Sequence, residues 1–215
     1  MSGVLIVSGT DTDIGKTVVA AGLAAALGAH YWKPIQAGTA DGTDSGRAAA
    51  LGVPRDHVLR EGYRLTLPAS PHLAFREEGL EADLARLALP EPRPLIVEGA
   101  GGLMVPIRRD PPWMMIDQFA RWQAPVLLVT RTALGTINHS LLSVEALRAR
   151  AIPVAGLLFV GEAHAENESV IPALAGVPHV GRLPLLDPLD ARTLAGAIAA
   201  HVDLPHLRAA MDSAA

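Results

Sequence analysis

The chain has 215 residues, half of them hydrophobic, and a formal charge of −4 with acids and bases interleaved. Those figures suit one α/β domain and leave no basic surface to recruit nucleic acid or an anionic membrane. With no cysteine anywhere, disulfides, thiolate metal sites and a cysteine nucleophile are excluded.

The first apolar run, Val4-Leu5-Ile6-Val7, is short and β-branched, as a buried strand requires. Ser8 to Thr17 is a glycine-bearing loop closing in Gly-Lys-Thr, and the Ala- and Leu-rich stretch Val18 to Leu27 predicts a helix. Strand, loop and helix in that order are the context of a phosphate-binding loop. Backbone N–H groups of Thr12, Asp13, Ile14 and Gly15, with the positive end of the helix, would face a polyphosphate. Lys16 would reach the terminal phosphates and the Thr17 hydroxyl would hold Mg2+. Five residues separate Gly9 from Gly15, one more than in the common motif, with Thr10 where the first glycine usually stands. That marks a variant nucleotide loop. The first basic residue is Lys16, so no signal peptide is expected, and the longest apolar run, Val18 to Ala29, is too short to span a bilayer. A cytoplasmic protein is the expectation.

His30-Tyr31-Trp32-Lys33 reads as a strand stopped by Pro34. Ile35 to Ser45 reads as a loop, after which Asp44 or Ser45 would cap a helix through Leu51. Pro54 to His72 is expected to be irregular, with Pro68 and Pro71 restricting the backbone around Ser70. Gly79 to Leu89 predicts an amphipathic helix with Leu80, Leu84 and Leu87 on one face. Pro94 to Val97 is the next buried strand and ends in Glu98-Gly99-Ala100-Gly101-Gly102. Arg108 to Trp113 should be an exposed loop, Met115 to Trp122 a helix, and Pro125 to Thr130 a strand. Leu134 to His139 opens a helix running to Arg150, capped at Thr136. Pro153 to Val160 is a strand, Asn167 to Leu174 a short helix, Val177 to Arg182 an edge strand, and Asp190 to Val202 a helix. After Pro205 a helical turn and then disorder over about the last ten residues is expected. Strands alternating with helices imply a doubly wound, mostly parallel α/β sheet of the phosphate-loop NTPase type, one domain spanning 1–215.

Ligands bind such sheets beyond the carboxyl ends of the strands. Those ends present the phosphate loop, Lys33, Glu98, Thr130-Arg131 and Val160-Gly161. Glu98 is placed as a metal carboxylate, and Gly99, Ala100 and Gly101 let backbone approach the γ-phosphate. Asp44 is either a second metal carboxylate or a helix cap. Lys33 supplies a second cation beside Lys16, suited to a reaction that builds negative charge on acceptor and transferred phosphate. Gly135 and Thr136 offer a helix N-terminus that could take a carboxylate or be an ordinary cap. The eight histidines show no metal-binding spacing.

Four segments together carry a family resemblance: Gly9 to Thr17, Lys33-Pro34-Ile35-Gln36-Ala37-Gly38, Val97 to Gly102, and Leu134-Gly135-Thr136-Ile137-Asn138-His139. In that order they resemble dethiobiotin synthetases, homodimeric enzymes that use Mg2+ and ATP to join CO2 and 7,8-diaminopelargonic acid into the cyclic urea of dethiobiotin. The resemblance implies Thr17, Asp44 and Glu98 as Mg2+ ligands, Lys16 on the phosphates, and Lys33 as the catalytic lysine at the carbamate. It implies Asp13, Ala37, Ser70 and Pro71 at the substrate, and Gly135, Thr136 and Asn138 gripping its carboxylate tail from the other subunit. Three departures stand out: Asp13 replaces a more usual Glu, Ala37 a Ser or Thr, and Val160-Gly161 an Asn-Asp pair that reads adenine. Base selection would then fall to backbone groups near Arg182, Leu183 and Pro184, with other nucleoside triphosphates accepted beside ATP. Two other readings compete. A ParA/MinD-like dimerisation switch would usually carry an extra Lys early in the loop, where Gly-Thr-Asp-Thr-Asp stands here. An amidoligase of cobyrinate synthesis would need a cysteine for its glutaminase half.

Overall fold

The apolar runs that alternate with helices in the sequence become neighbouring parallel strands, because only a sheet covered on both faces can bury strands that are apolar on both sides. A computed structural model describes residues 3–213. In chain order its elements are β1 (Val4–Gly9), α1 (Lys16–Leu27), β2 (His30–Trp32), β3 (Ile35–Ala37), α2 (Asp44–Ala50) and β4 (Tyr63–Leu65). There follow α3 (Pro71–Glu77), β5 (Leu95–Gly102), β6 (Pro106–Arg108), β7 (Trp113–Met114), α4 (Met115–Trp122) and β8 (Val126–Arg131). The last are α5 (Thr136–Arg148), β9 (Val154–Val160), α6 (Ala165–Ala175), β10 (His179–Leu183), α7 (Ala191–His201) and α8 (Leu204–Ser213).

Six strands form one parallel sheet in the order β10-β9-β8-β1-β5-β2. Because side chains alternate along a strand, Leu5, Val7, Ile96, Leu127 and Val129 face α1, α2, α7 and α8. Val4, Ile6, Val97 and Val126 face the opposite way, onto α4 and its surroundings. Leu128, Leu157 and Phe159 continue that second face beneath α5 and α6. The chain leaves β1 toward β2 and later crosses to β8 on the other side, so the crevice of the sheet opens where β1 ends.

Several expectations need correction. The segment Gly79 to Leu89 is not a helix; a single 3-10 turn, Leu84–Leu87, stands in its place. Gly79 has φ 63, a left-handed conformation that ends the run from α3, and Leu80 is 47 % exposed. Tertiary partners take over the backbone that a helix would have satisfied. The Tyr63 hydroxyl accepts from Asp83 N–H at 2.7 Å, and the Leu87 carbonyl accepts from Trp122 Nε1 at 2.7 Å and Gln118 Nε2 at 3.1 Å. The expected loop from Ile35 contains β3, which pairs in parallel with β4 inside the stretch expected to be irregular. Pro71 starts α3, in the position where a missing N–H costs nothing. The expected loop 108–113 is the exposed tip of the β6–β7 hairpin. Thr43, not Asp44 or Ser45, caps α2, through its hydroxyl to Gly46 N–H. Gly135, at φ 91, rather than Thr136 precedes α5 as its cap residue. At the C-terminus, disorder gives way to α8, whose Leu207 and Met211 are buried and whose Met211 carbonyl accepts from Gly3 N–H. The remainder of that expectation, residues 214 and 215, lies outside the described residues. Among the described residues no helix is long and apolar enough to cross a membrane.

Candidate active site

The phosphate loop is built from the end of β1 into α1. Gly15, at φ 93, takes a left-handed turn that aims the first N–H groups of α1 back over the loop. A side chain there would lie 3.2 Å from Val160 Cγ1, so glycine is needed both for the turn and for the approach of β9. Asp13 also adopts a positive φ, 54. The Arg131 guanidinium, leaving β8, donates to the Thr12 carbonyl at 3.1 Å and ties the loop to the neighbouring strand end.

β5 runs on through Gly102 rather than stopping at Val97, so Glu98 sits inside the ladder opposite Val7 and is 1 % exposed. The bland alternative, a solvated strand-end carboxylate, is excluded. Glu98 Oε1 accepts from Thr17 Oγ1 at 2.8 Å and from Lys33 Nζ at 2.7 Å, and Oε2 accepts from the hydroxyl of Tyr31. Lys33 Nζ also meets Asp44 Oδ2 at 2.7 Å and donates to the Gly99 carbonyl at 3.3 Å. Thr17 Oγ1, its proton turned to Glu98, also lies 3.2 Å from Asp44 Oδ1. Asp44 is therefore held by its side chain toward Thr17 and Lys33, not spent as a cap. Its N–H donates to Gln36 Oε1 at 2.8 Å, which locks the start of α2 against β3.

These groups line one cleft of about 760 Å³. Thr12, Asp13, Gly15, Lys16 and Thr17 of the loop and α1 line it together with Lys33, Ala37, Asp44, Ser70, Pro71, Glu98, Ala100 and Gly101. Burial and the nearby Lys33 charge lower the Lys16 ammonium from 10.5 to about 8, against the opposing pull of Glu98, Asp13 and Asp11. Lys16 Nζ meanwhile donates to the Asp11 carbonyl at 2.7 Å. Burial pulls Lys33 the same way, but the carboxylates of Glu98 and Asp44 outweigh it and its net shift is upward.

Among the described residues no three His, Cys, Asp or Glu side chains cluster to enclose a metal alone. Thr17, Asp44 and Glu98 offer a hydroxyl and two carboxylates, the hard oxygen donors that suit Mg2+. That set leaves coordination positions for phosphate oxygens and water, and the Lys33 ammonium bridging both carboxylates shows that a cation is at home between them. The donor set fits.

Other expected residues stand apart from the cleft. Ile14 turns into the core, 3 % exposed. Val160, Gly161, Arg182, Leu183 and Pro184 lie at the ends of β9 and β10, with Val160 against Gly15. Gly161 N–H donates to the Leu183 carbonyl at 3.1 Å, and the Gly161 carbonyl accepts from Arg182 Nη1 at 3.0 Å. Gly135 and Asn138 are exposed at the start of α5, while Thr136 is buried and donates to the Arg131 carbonyl at 2.7 Å. Sequence reasoning missed Arg47, which lines the cleft, and the contact of Tyr31 with Glu98. The signal for Tyr31 was alternation: in the strand expected over His30 to Lys33, it and Lys33 are two apart and so would share a face.

The sequence model of a family described as AAA domain matches residues 3–193. A protein of Rhodopseudomonas palustris (strain BisB18), named ATP-dependent dethiobiotin synthetase BioD, is 56 % identical over 195 residues, covering 90 % of this chain and 92 % of that protein. Proteins of the same name from Novosphingobium aromaticivorans and Afipia carboxidovorans are 54 % and 55 % identical, over 90 % and 92 % of this chain and 94 % of each relative. The crystal structure of a ParA family ATPase from Chlorobium tepidum TLS superposes with a TM-score of 0.50 over 98 % of this chain and 96 % of that one. At 11 % identity, that likeness speaks for the fold alone, a phosphate-loop NTPase architecture.

Proposed function

Because the chain belongs to the ATP-dependent dethiobiotin synthetases, a family of ligases, we propose that it closes the ureido ring of dethiobiotin from 7,8-diaminopelargonic acid and CO2 at the expense of ATP. The observation that carries this reading is the convergence of Lys16 and Lys33 with Thr17, Asp44 and Glu98 in one cleft.

A carbamate formed from one amine and CO2 has no good leaving group. Transfer of the γ-phosphoryl group to a carbamate oxygen, with ADP leaving, makes a mixed anhydride. The second amine attacks its carbonyl carbon, the C–O bond to phosphate breaks, and the amine's proton is lost. Dethiobiotin, ADP and phosphate result, and no side chain has to act as a covalent nucleophile. Lys33, which lines the cleft, would hold the carbamate and then the phosphorylated carbamate. Lys16 and the loop N–H groups would hold the β- and γ-phosphates. Mg2+ held by Thr17, Asp44 and Glu98 would neutralise charge between the phosphates. Asp13, which lines the cleft, would approach the reacting amine, and Ala37, Ser70 and Pro71 would border the substrate.

In keeping with the exposed start of α5 on a single chain, we place Gly135, Thr136 and Asn138 in a partner subunit's site, where they would take the substrate carboxylate. We also place the protein in the cytoplasm, with neither membrane nor nucleic acid as partner.

Phosphate release from Mg2+–ATP, with and without the diamine and bicarbonate, tests the reading. Release that needs both and falls at least about 100-fold in Lys33→Ala is the expected result, the size expected for removing one preorganised charge. Release indifferent to the diamine would leave a phosphate-loop ATPase and favour the dimerisation switch.

A further inference from the structure

Glu98 hangs from the strand by a terminal torsion that is broad and nearly two-fold, so its place in β5 does not decide which oxygen turns to the cleft. Something else must. β2 pairs with β5 in the register Tyr31↔Ile96 and Trp32↔Val97. Tyr31 therefore shares its face of the sheet with Ile96 and, two residues on, with Glu98. Its ring is fully buried in the core beneath α1 and α2. A phenol buried that deeply needs a hydrogen-bond partner, and the one it has is Glu98 Oε2. Thr17 and Lys33 both use the other oxygen.

We propose that Tyr31 is a positioning residue for the metal carboxylate: by holding Oε2 of Glu98, it turns Oε1 toward Thr17, Lys33 and the cation. The inference rests on the Mg2+–ATP reading of the cleft. Outer partners of this kind fix the rotamer of a ligand that would otherwise turn away from its metal.

Tyr31→Phe keeps the ring and removes only the hydroxyl. Direct titration with Mn2+, in the presence of a non-hydrolysable ATP analogue, reads metal binding without turnover. The variant should bind Mn2+ about 10-fold more weakly or worse, as loss of an outer partner does elsewhere. The Mg2+ concentration giving half-maximal activity should rise by the same factor, with kcat recovering at high Mg2+. A lower melting temperature with an unchanged Mn2+ constant would make Tyr31 a core residue only and overturn the proposal. Glu98→Gln, alone and combined with Tyr31→Phe, supplies the second check. If Tyr31 acts through Glu98, adding Tyr31→Phe to Glu98→Gln changes Mn2+ binding by less than about twofold; fully additive losses would overturn it. Wild-type protein that takes up no Mn2+ with the analogue overturns the nucleotide–metal reading itself, and this inference with it.

Discussion

Lys16 is a cation whose charge is conditional. Burial and Lys33 bring it down to about 8, so in the free protein it begins to lose its proton within the range of ordinary assays. Above that pH the loop has one charge fewer to offer a phosphate, and kcat/KM for ATP should fall about tenfold per pH unit. Bound nucleotide pulls the lysine back up, so kcat at saturating ATP should bend at a higher pH; paired pH profiles check this. The effect on stability has the opposite sign. Between about 8 and the unfolded value of 10.5 the unfolded chain binds the extra proton, so the Lys16 contribution makes folding more favourable as pH rises. Reading the sequence singled out Lys16, Thr17, Lys33 and Glu98, because each sits in a motif or directly at a strand end, and Asp44 only through the family resemblance. Arg47 and Tyr31 carried no such mark; what they touch depends on how α2 and β2 pack.

Among the elements, the stretch from Gly79 to Leu89 shows how tertiary contacts override a helical pattern. Leu80, Leu84 and Leu87 have the spacing, but Leu87 alone among them is fully buried. The Leu87 carbonyl is claimed by the indole of Trp122 and the amide of Gln118 on α4. Trp122→Phe should therefore cost about 1–2 kcal/mol, the worth of a buried hydrogen bond whose acceptor keeps a second donor, read as a shift in urea midpoint without a change in slope. Helix α4 itself was legible to the residue, Met115 to Trp122, and in the structure Asp117 Oδ2 accepts from Met114 N–H at its start. At the ends of β9 and β10, Gly161 has no side chain and both its backbone groups are engaged, to Leu183 and to Arg182. With so little left to read a base, kcat/KM for ATP, GTP, CTP and UTP should agree within about tenfold, roughly the discrimination available without dedicated side-chain hydrogen bonds. A hundredfold preference for ATP in that comparison would sink the expectation.

On the scale of the whole molecule, one long helix leaves apolar side chains uncovered. Beyond the phosphate loop, α5 exposes Leu142 (56 %) and Ile137 (39 %), with Leu134 wholly in solvent just before it. Apolar side chains exposed along one helix suit contact with a second copy. Sedimentation should give a dimer of the 22.5 kDa chain, and Leu142→Asp should shift it toward monomer while raising KM for the diamine. A monomeric wild-type protein at micromolar concentration would remove the partner's arm of the proposed site.

From the sequence alone came the doubly wound class, the phosphate loop and the cleft residues Lys16, Lys33 and Glu98, because period, punctuation and motif are local properties of a chain. Tertiary structure alone decided three further matters. It ran Glu98 into the ladder instead of leaving it at a solvated end, since Glu98 pairs with Val7 and, past a break in register, Gly102 with Gly9. It unwound the 79–89 segment, since side chains from α4 and β4 satisfied its backbone better than a helix would. It set Tyr31 on Glu98, since parallel pairing of β2 with β5 put a phenol and a carboxylate, 67 positions apart in the chain, on one face. Each depends on which strand lies beside which, and strand order is a property of packing that no local window of sequence contains.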